Sequence, residues 1–183
     1  MIIWFIICVY IASSIEEWLV HKYTMHHHSD LFQKVYANHA QHHKKTNPNF
    51  TIQDNKTEYI CVDIKTLDDF IQYAVVFVFN FGIFYVLFSK YIPAWFIATT
   101  IITFIIINIL VWNTFHSYIH GMDAYDICYS KGIPAKYIDE NNFYINWIVN
   151  NHRAHHMNSR GNFNIVFPGA DFWFGTYNQI TSM

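Results

Sequence analysis

The sequence predicts an all-α integral membrane protein with about three transmembrane helices and a cytosolic, histidine-rich helical cap. Three observations carry this prediction. Of 183 residues, 53% are hydrophobic and only 13% are charged, well below the roughly 25% charged residues of an average soluble domain. Two uncharged apolar stretches each approach the 20 or so residues that cross a bilayer. Ten of the twelve histidines fall into four short motifs outside these stretches.

The two stronger spans are predicted at about 70–88 and 94–112, FIQYAVVFVFNFGIFYVLF and AWFIATTIITFIIINILVW. Only five residues separate them, so the two helices should form a tight antiparallel hairpin. Tyr91, Trp95 and Trp112 lie where aromatic side chains anchor spans at the membrane interface. Two buried helices of a soluble core are the alternative, but helices that are apolar on every side are rare in water.

The first span, predicted at about 2–20, has a weaker pattern. About 14 apolar residues precede Glu16, a length that also fits a re-entrant or interfacial helix. A cleaved signal peptide has a similar apolar length, but no basic residues precede this segment and no small-residue cleavage motif follows it. An uncleaved membrane helix that continues through Trp18 towards His21 is therefore favoured.

The length fits one domain over 1–183, with the cap formed by 21–69 and 113–183. A hairpin enters and leaves on one side, so both cap stretches share one membrane face. Of eleven Lys and Arg residues only Lys90 lies on the opposite side, which places the cap in the cytoplasm. In a eukaryotic cell we expect the endoplasmic reticulum membrane. Sequons at Asn49 and Asn55 share this face; we expect neither to be glycosylated, and a glycan at either would overturn the orientation.

Charge and cysteine content exclude other classes. The net charge of −2 provides no basic surface for nucleic acid, so no nucleic-acid partner is expected. The three cysteines, Cys8, Cys61 and Cys128, have no CxxC spacing. A disulfide framework or a thiolate zinc site is therefore not expected.

The four histidine motifs supply candidate metal ligands, since neutral imidazole is the commonest metal ligand in proteins. Residues three or four apart lie on one face of a helix, so the three rings of each HxxHH motif should lie together on one helix face. One HxxHH alone also fits a polar helix surface, but two together with an HxxxH on one membrane face are hard to ascribe to chance. The motifs comprise His21 and His26; His39, His42 and His43; His116 and His120; and His152, His155 and His156.

His21 and His26 form the weakest motif. Five residues turn an α-helix by about 500°, which leaves the two rings roughly 140° apart. The helix must therefore end or unwind there if both are to bind one centre. His27 and His28 could substitute, although a simpler interpretation makes them solvated histidines at a helix end. Ten imidazoles exceed the roughly three to six ligands of one ion, which predicts two metal ions.

The order HxxxxH, HxxHH, HxxxH, HxxHH resembles that of the fatty acid hydroxylase / sterol desaturase superfamily of integral-membrane di-metal oxygenases. The opening EEWLVHKYTMH and the closing NHRAHHMNSRGNFNIVFPGADFWFGTY are similar to the family's start and end, so the resemblance covers about 16–177. It implies metal ligands at all ten histidines and an oxidative reaction on a lipid chain. This chain is shorter than many relatives, has no fused haem domain, and has a long gap between His120 and His152, which leaves the substrate open.

The resemblance further implies that O2 hydroxylates a C–H bond of a fatty acyl, sterol or related lipid at two iron ions. Zinc is an alternative in the isolated protein but has no redox chemistry. Electrons would come from a separate donor, such as a cytochrome b5-type protein and its reductase. A desaturase is the alternative within this class. A histidine-rich membrane metal-binding or transport protein is the alternative from another class, but transporters place ionisable ligands inside their spans, and neither of the two stronger spans contains a histidine or a carboxylate.

Three carboxylates are candidates to support the metal ligands, because a metal-bound histidine usually donates its other N–H to a carboxylate or carbonyl. Glu17, one helical turn before the first histidine motif, is the best candidate, and Asp123 and Asp171 follow. The alternatives are that Glu17 marks the membrane boundary and that the aspartates cap a turn or helix. Asn38 and Asn151, each preceding an HxxHH motif, are expected to cap those helices.

Overall fold

The structure, a computed structural model, describes residues 1–53 and 60–179. No β-strand forms in these residues, and one isolated bridge joins Thr46 to Ile52. The helices are α1 (Ile2–Leu19), a π-helix (Val20–Met25), a 3-10 turn (Asp30–Phe32), α2 (Gln33–Lys45), α3 (Leu67–Phe88), α4 (Ala94–Ile119), α5 (Ala124–Ile127), a 3-10 turn (Ala135–Tyr137), α6 (Phe143–Met157) and α7 (Ala170–Trp173).

Three helices are long and apolar enough to cross a membrane, namely Ile2–Met25, Leu67–Phe88 and Ala94–Ile119. The prediction of an all-α chain with about three such helices is confirmed, and these features indicate a membrane protein. The first helix reaches sufficient length because the π-helix continues it beyond Leu19. The third extends past the predicted end at Trp112, so His116 lies on the helix itself and not after it.

The end of the helices remote from the histidines is held by aromatic packing. Phe5 is fully buried and contacts the rings of Phe84, Phe88 and Phe96, with centroid distances of 5.7, 5.3 and 6.1 Å. The opposite face of α3 carries apolar side chains that no other part of the described chain covers; Val78 is 65% exposed. This distribution is expected of a helix whose outer face contacts lipid.

A second apolar core lies between α4, α6 and the segment that follows α6. On α4 its buried members are interspersed with the histidines, and on α6 they lie one turn before the first histidine. α4 and α6 are therefore fixed against each other next to the site. The members are Trp112, Phe115, Ile119, Ile148, Val149, Ile165, Val166 and Phe167.

Cys61 and Cys128 form a disulfide, with their Cα atoms 5.6 Å apart. The expectation of no disulfide is therefore wrong for this pair. The two residues are 67 positions apart, and only tertiary contacts bring them together. The side chain of Asn113 on α4 bonds the backbone of Val62 on one side and of Ser130 on the other.

The expected helix caps are also corrected. Asn38 lies inside α2, whose N-cap is Phe32, and Asn151 lies inside α6. Asn142 caps α6, and its side chain accepts from the backbone N–H groups of Tyr144 and Ile145. Of the two sequons, the one at Asn49 is exposed, and the one at Asn55 lies outside the described residues.

Candidate metal centre

The imidazole rings of all four motifs converge on one region, where they form two groups that could each hold a metal ion. Within each group one nitrogen per ring lies within 4.8 Å of every other. We call them the α group and the π group, after the helices that supply their characteristic pairs. The α group is His42, His116, His120, His152 and His156, and the π group is His21, His26, His39 and His155.

The α group is assembled from regular helical spacing. His116 and His120 lie one turn apart on α4, where residues four apart are neighbours on one face. His152 and His156 repeat this spacing on α6, with their Nε2 atoms 3.0 Å apart. His42 on α2 joins the two pairs, because its Nε2 lies 3.1 Å from that of His116 and 3.0 Å from that of His156.

The π group depends on an unusual turn. Residues 20–25 form a π-helix, in which each N–H bonds the carbonyl five residues back, so positions five apart become neighbours. His21 and His26 consequently stack, with ring centroids 5.3 Å apart. The sequence predicted that the helix ends or unwinds at this motif if both rings are to meet. The structure has a wider π-helical turn there instead. The Nε2 of His26 reaches 3.0 Å from those of His39 and His155.

Each HxxHH motif is divided between the two groups. This corrects the expectation that its three histidines lie together. On α2, His39 belongs to the π group and His42 to the α group. On α6, His155 belongs to the π group, whereas its neighbours belong to the α group. His43 lies between them: its Nε2 is 3.0 Å from that of His39, and its ring centroid is 4.5 Å from that of His156.

His27 and His28 lie outside both groups and are exposed. The Nδ1 of His27 bonds the carbonyl of Lys22 at 2.7 Å. The ring of His28 contacts that of Tyr36, with centroids 5.5 Å apart. Neither residue substitutes for a histidine of the first motif.

Backbone carbonyls, and not carboxylates, orient the rings. Four of the ten motif histidines donate from Nδ1 to a main-chain oxygen, so each carries its proton there and presents an unprotonated Nε2 to the centre. These acceptors were missed because a carbonyl has no side-chain signature in the sequence. The pairs are His21 with Phe163 (2.7 Å), His116 with Ile60 (2.7 Å), His120 with Phe50 (2.5 Å) and His155 with Gly161 (2.7 Å).

The three candidate carboxylates do not bond a histidine in the described part of the chain. Glu17 accepts from the backbone N–H groups of 165–167, and Asp171 accepts from those of 163 and 164. Both therefore hold the segment whose Phe163 carbonyl orients His21, and neither bonds a histidine ring directly, contrary to the prediction. Asp123 accepts from Tyr125 and Ala135 and caps α5, as its alternative interpretation proposed.

Burial keeps the imidazoles neutral. Removal of the rings from water lowers the pKa of the α2, α6 and loop histidines, and neighbouring histidines lower most of them further. Neutral rings are ready to bind a cation without first losing a proton. The pKa falls to about 4 for His26, His43 and His120, and well below its usual 6.5 for His39, His42, His152, His155 and His156.

The spacing of the nitrogens fits shared metal ligands. The Nε2 contacts among the ten histidines measure 3.0–3.4 Å. Two nitrogens each about 2.1 Å from one ion are about 3.0 Å apart at a right angle and about 3.4 Å apart at the tetrahedral angle. Unprotonated nitrogens this close repel one another without a cation between them, so the donor set fits metal ions.

One pocket opens onto the histidines from the protein surface. Its volume is about 370 Å³. His26, His43 and His156, the three half-buried ligand candidates, all face it, which gives small molecules a route to both groups. The remaining lining residues are Met25, Tyr36, His39, Ala40, Met157 and Ser159.

Comparison with known proteins identifies no relative. No family model matches the chain, and neither the curated proteins nor the solved structures contain a match. The functional conclusion therefore depends on the chemistry of the histidine centre and on its position beside the long helices.

Proposed function

We propose that this protein is an O2-dependent, lipid-modifying membrane oxidoreductase whose histidine-rich cap binds two iron ions. The observation that carries the proposal is the convergence of ten imidazoles, nine of them in two groups with His43 between, at the ends of helices long enough to cross a bilayer. The same order of motifs resembles the fatty acid hydroxylase / sterol desaturase superfamily.

The donor set favours iron over zinc. A structural zinc ion is satisfied by four ligands, whereas the α group offers five imidazoles. His43 likewise adds a fifth nitrogen beside the four of the π group. Five nitrogens around each ion leave one position of an octahedron for an exogenous ligand. Bound iron would supply the redox chemistry for oxidising an unactivated C–H bond with O2.

The protein's own groups would hold this centre in place and control access to it. The carbonyls of Phe50, Ile60, Gly161 and Phe163 fix the ring orientations, and such outer contacts usually matter to metal affinity. The apolar core of Trp112 and its neighbours excludes water on the membrane side. The pocket at His26, His43 and His156 admits small molecules from the other side.

The lipid would lie among the spans with one C–H bond at the centre. In hydroxylation, one oxygen atom of O2 enters the new C–O–H group. The other leaves as water after a separate donor, such as a cytochrome b5-type protein with its reductase, has supplied two electrons and two protons arrive from solvent. Removal of two hydrogen atoms without C–O bond formation would make the protein a desaturase instead.

The orientation of the centre is a proposal with a direct test. The distribution of Lys and Arg favours a cytoplasmic centre, in the endoplasmic reticulum membrane of a eukaryotic cell. The Cys61–Cys128 disulfide favours the opposite, because cytosolic thiols are kept reduced. Sealed endoplasmic reticulum vesicles with their cytoplasmic face outward, treated with a permeant reductant and then with an impermeant thiol reagent, distinguish the two: the mass of the chain increases at Cys61 and Cys128 without detergent only if these thiols face the cytoplasm.

Lipid profiling paired with metal analysis tests the proposed activity. Cells that express the chain should accumulate a hydroxylated or newly unsaturated lipid, and the purified protein should contain about two irons per chain. A His152→Ala and His155→Ala double variant, which removes a ligand from each group, serves as the inactive control. Unchanged lipids together with bound zinc that crosses the membrane would contradict the proposal and favour metal transport.

A further inference from the structure

The chain after α6 forms a hairpin-shaped excursion that runs beside α1. Asn162 and Asn178 mark its two ends and bond each other: the N–H of Asn178 donates to Asn162 Oδ1 at 2.6 Å, and Asn162 Nδ2 donates to the carbonyl of Asn178 at 2.8 Å. The N–H of Asn162 also donates to the carbonyl of Thr176 at 2.9 Å. The excursion, which we define as 163–176, therefore begins and ends at the same place in the structure.

Its descending leg follows α1 step by step. His21 bonds the carbonyl of Phe163, Ser14 Oγ donates to that of Phe167 at 2.8 Å, and Tyr10 OH donates to that of Pro168 at 2.6 Å. From His21 to Tyr10 a helix rises by about 16 Å. The leg therefore extends about half of the roughly 30 Å thickness of a bilayer's hydrocarbon core.

α4 provides a second, independent measure of how deep this leg extends. The ring of Phe167 stacks on that of Phe104, with centroids 5.6 Å apart. Phe104 lies twelve residues before His116, which corresponds to about 18 Å along the helix. Two helices that could each span a membrane thus place the tip, Pro168 and Gly169, at the same depth.

A non-helical chain at that depth requires every backbone polar group to be satisfied by protein. Five consecutive N–H groups, 163 to 167, donate to the carboxylates of Asp171 and Glu17 at 2.7–3.0 Å. Asn151 and Tyr144 donate to the carbonyls of Asn164 and Val166. The two buried carboxylates thus satisfy the backbone N–H groups of this segment, as internal hydrogen bonds do in a helix.

The returning leg presents aromatic side chains outward. Phe172, Trp173 and Phe174 are 51%, 51% and 49% exposed, although they lie beside the first span. The ring of Phe174 is 4.6 Å from that of Trp18. The only ionisable group between 163 and 176 is the fully buried Asp171. In water this would be an unusual exposed patch, whereas Trp and Phe are favoured where protein meets lipid.

We propose that 163–176 is a re-entrant membrane segment and that Phe172, Trp173 and Phe174 contact the acyl chains of the surrounding lipid. The inference requires that α1 crosses the membrane, but it does not require iron or an enzymatic activity. It gives Glu17 and Asp171 a definite role as positioning residues, because they join the lipid-facing segment to the carbonyl that orients His21.

Cysteine accessibility in lipid nanodiscs, where both membrane faces are open to solvent, tests the depth. In a Cys8→Ser background, Trp173→Cys is compared with Ser159→Cys, an exposed position at the mouth of the histidine pocket. A water-soluble maleimide should modify the cysteine at 173 about tenfold more slowly, since the reactive thiolate is disfavoured in hydrocarbon. Both cysteines should react readily in denaturant. Equal rates at 173 and 159 in nanodiscs would overturn the proposal.

The unaltered protein provides a second measurement in case Trp173→Cys fails to fold. A phospholipid with a photoactivatable diazirine in its acyl chain should form adducts on the peptide that contains 172–174 as well as on the exposed face of α3. Adducts on α3 with none on 172–174 would overturn the proposal. Neither outcome depends on metal content or turnover, so this inference can fail while the proposed oxygenase activity survives, and the reverse.

Discussion

The α group and the π group present the same ligands from different backbones. In the α group, His116 and His120 are oriented by the carbonyls of Ile60 and Phe50. In the π group, His21 and His155 are oriented by carbonyls of 161–163. Ile60 adjoins the disulfide-bonded Cys61, whereas Phe163 belongs to the segment that Glu17 and Asp171 hold. The comparison shows that two similar groups of candidate ligands can depend on separate supports, which makes them separable by mutation.

Removal of one ligand from either group should have the largest effect. We expect His152→Ala to remove the metal of the α group and His155→Ala that of the π group, each leaving about one iron per chain and abolishing turnover, because two metals act together. Iron content, lipid product and helical content by circular dichroism are the measurements. His27→Ala, an exposed histidine outside both groups, should retain two irons. Retained activity in the His155→Ala protein would refute the assignment.

The π-helix can be tested by changing the spacing of His21 and His26. Insertion of one alanine after Tyr23 separates them by six residues, which neither an α- nor a π-helix aligns. Iron content should fall to about one per chain. Deletion of Thr24 creates an HxxxH spacing that an ordinary α-helix aligns, and should retain far more metal. If the insertion is tolerated better than the deletion, the proposed role of the π-helix is wrong.

Acid should destabilise the metal-free protein across both groups. An unfolded histidine takes up a proton near pH 6.5, whereas in the folded protein the pKa of His26, His43 and His120 is lowered to about 4. The unfolded state therefore binds protons first as the pH falls. Stability present above about pH 6.5 should be lost progressively towards pH 4.

Thermal unfolding in detergent between pH 7.5 and pH 4.5 measures this loss. Bound metal should raise the melting temperature at neutral pH and be released on acidification, since protons compete for the same nitrogens. A melting temperature that stays constant over this range in the metal-free protein would contradict the burial of neutral imidazoles.

The disulfide should have a smaller effect, confined to one group. Cys61→Ser with Cys128→Ser should lower the free energy of unfolding by about 2–4 kcal/mol. It should also weaken metal binding in the α group by up to about tenfold, because Ile60 adjoins Cys61 and orients His116. The π group should be unaffected. Stepwise metal removal by a chelator measures both sites, and Cys8→Ser is the matched control. Equal weakening of both groups would show that the supports are not separate.

Local patterns accounted for much of this molecule. The length of each apolar run predicted helices able to cross a membrane, and the spacing of four predicted that His116 meets His120 and that His152 meets His156. At His21 and His26 the same rules predicted that the α-helix ends or unwinds, whereas the chain continues as a π-helix. The rules failed for Glu17: its position one turn before His21 suggested a partner on its own helix, whereas its partners lie about 150 residues later.

By itself, the sequence determined the helical class, the three candidate spans and the ten candidate imidazoles, since these follow from composition, from the length of apolar runs and from the spacing of the motifs. Only the tertiary structure decided how the HxxHH motifs divide between the groups, which carbonyls orient the rings, and that Cys61 meets Cys128. Those outcomes depend on the directions in which helices and loops pack against one another. Backbone carbonyls and long-range pairings leave no pattern in the order of side chains.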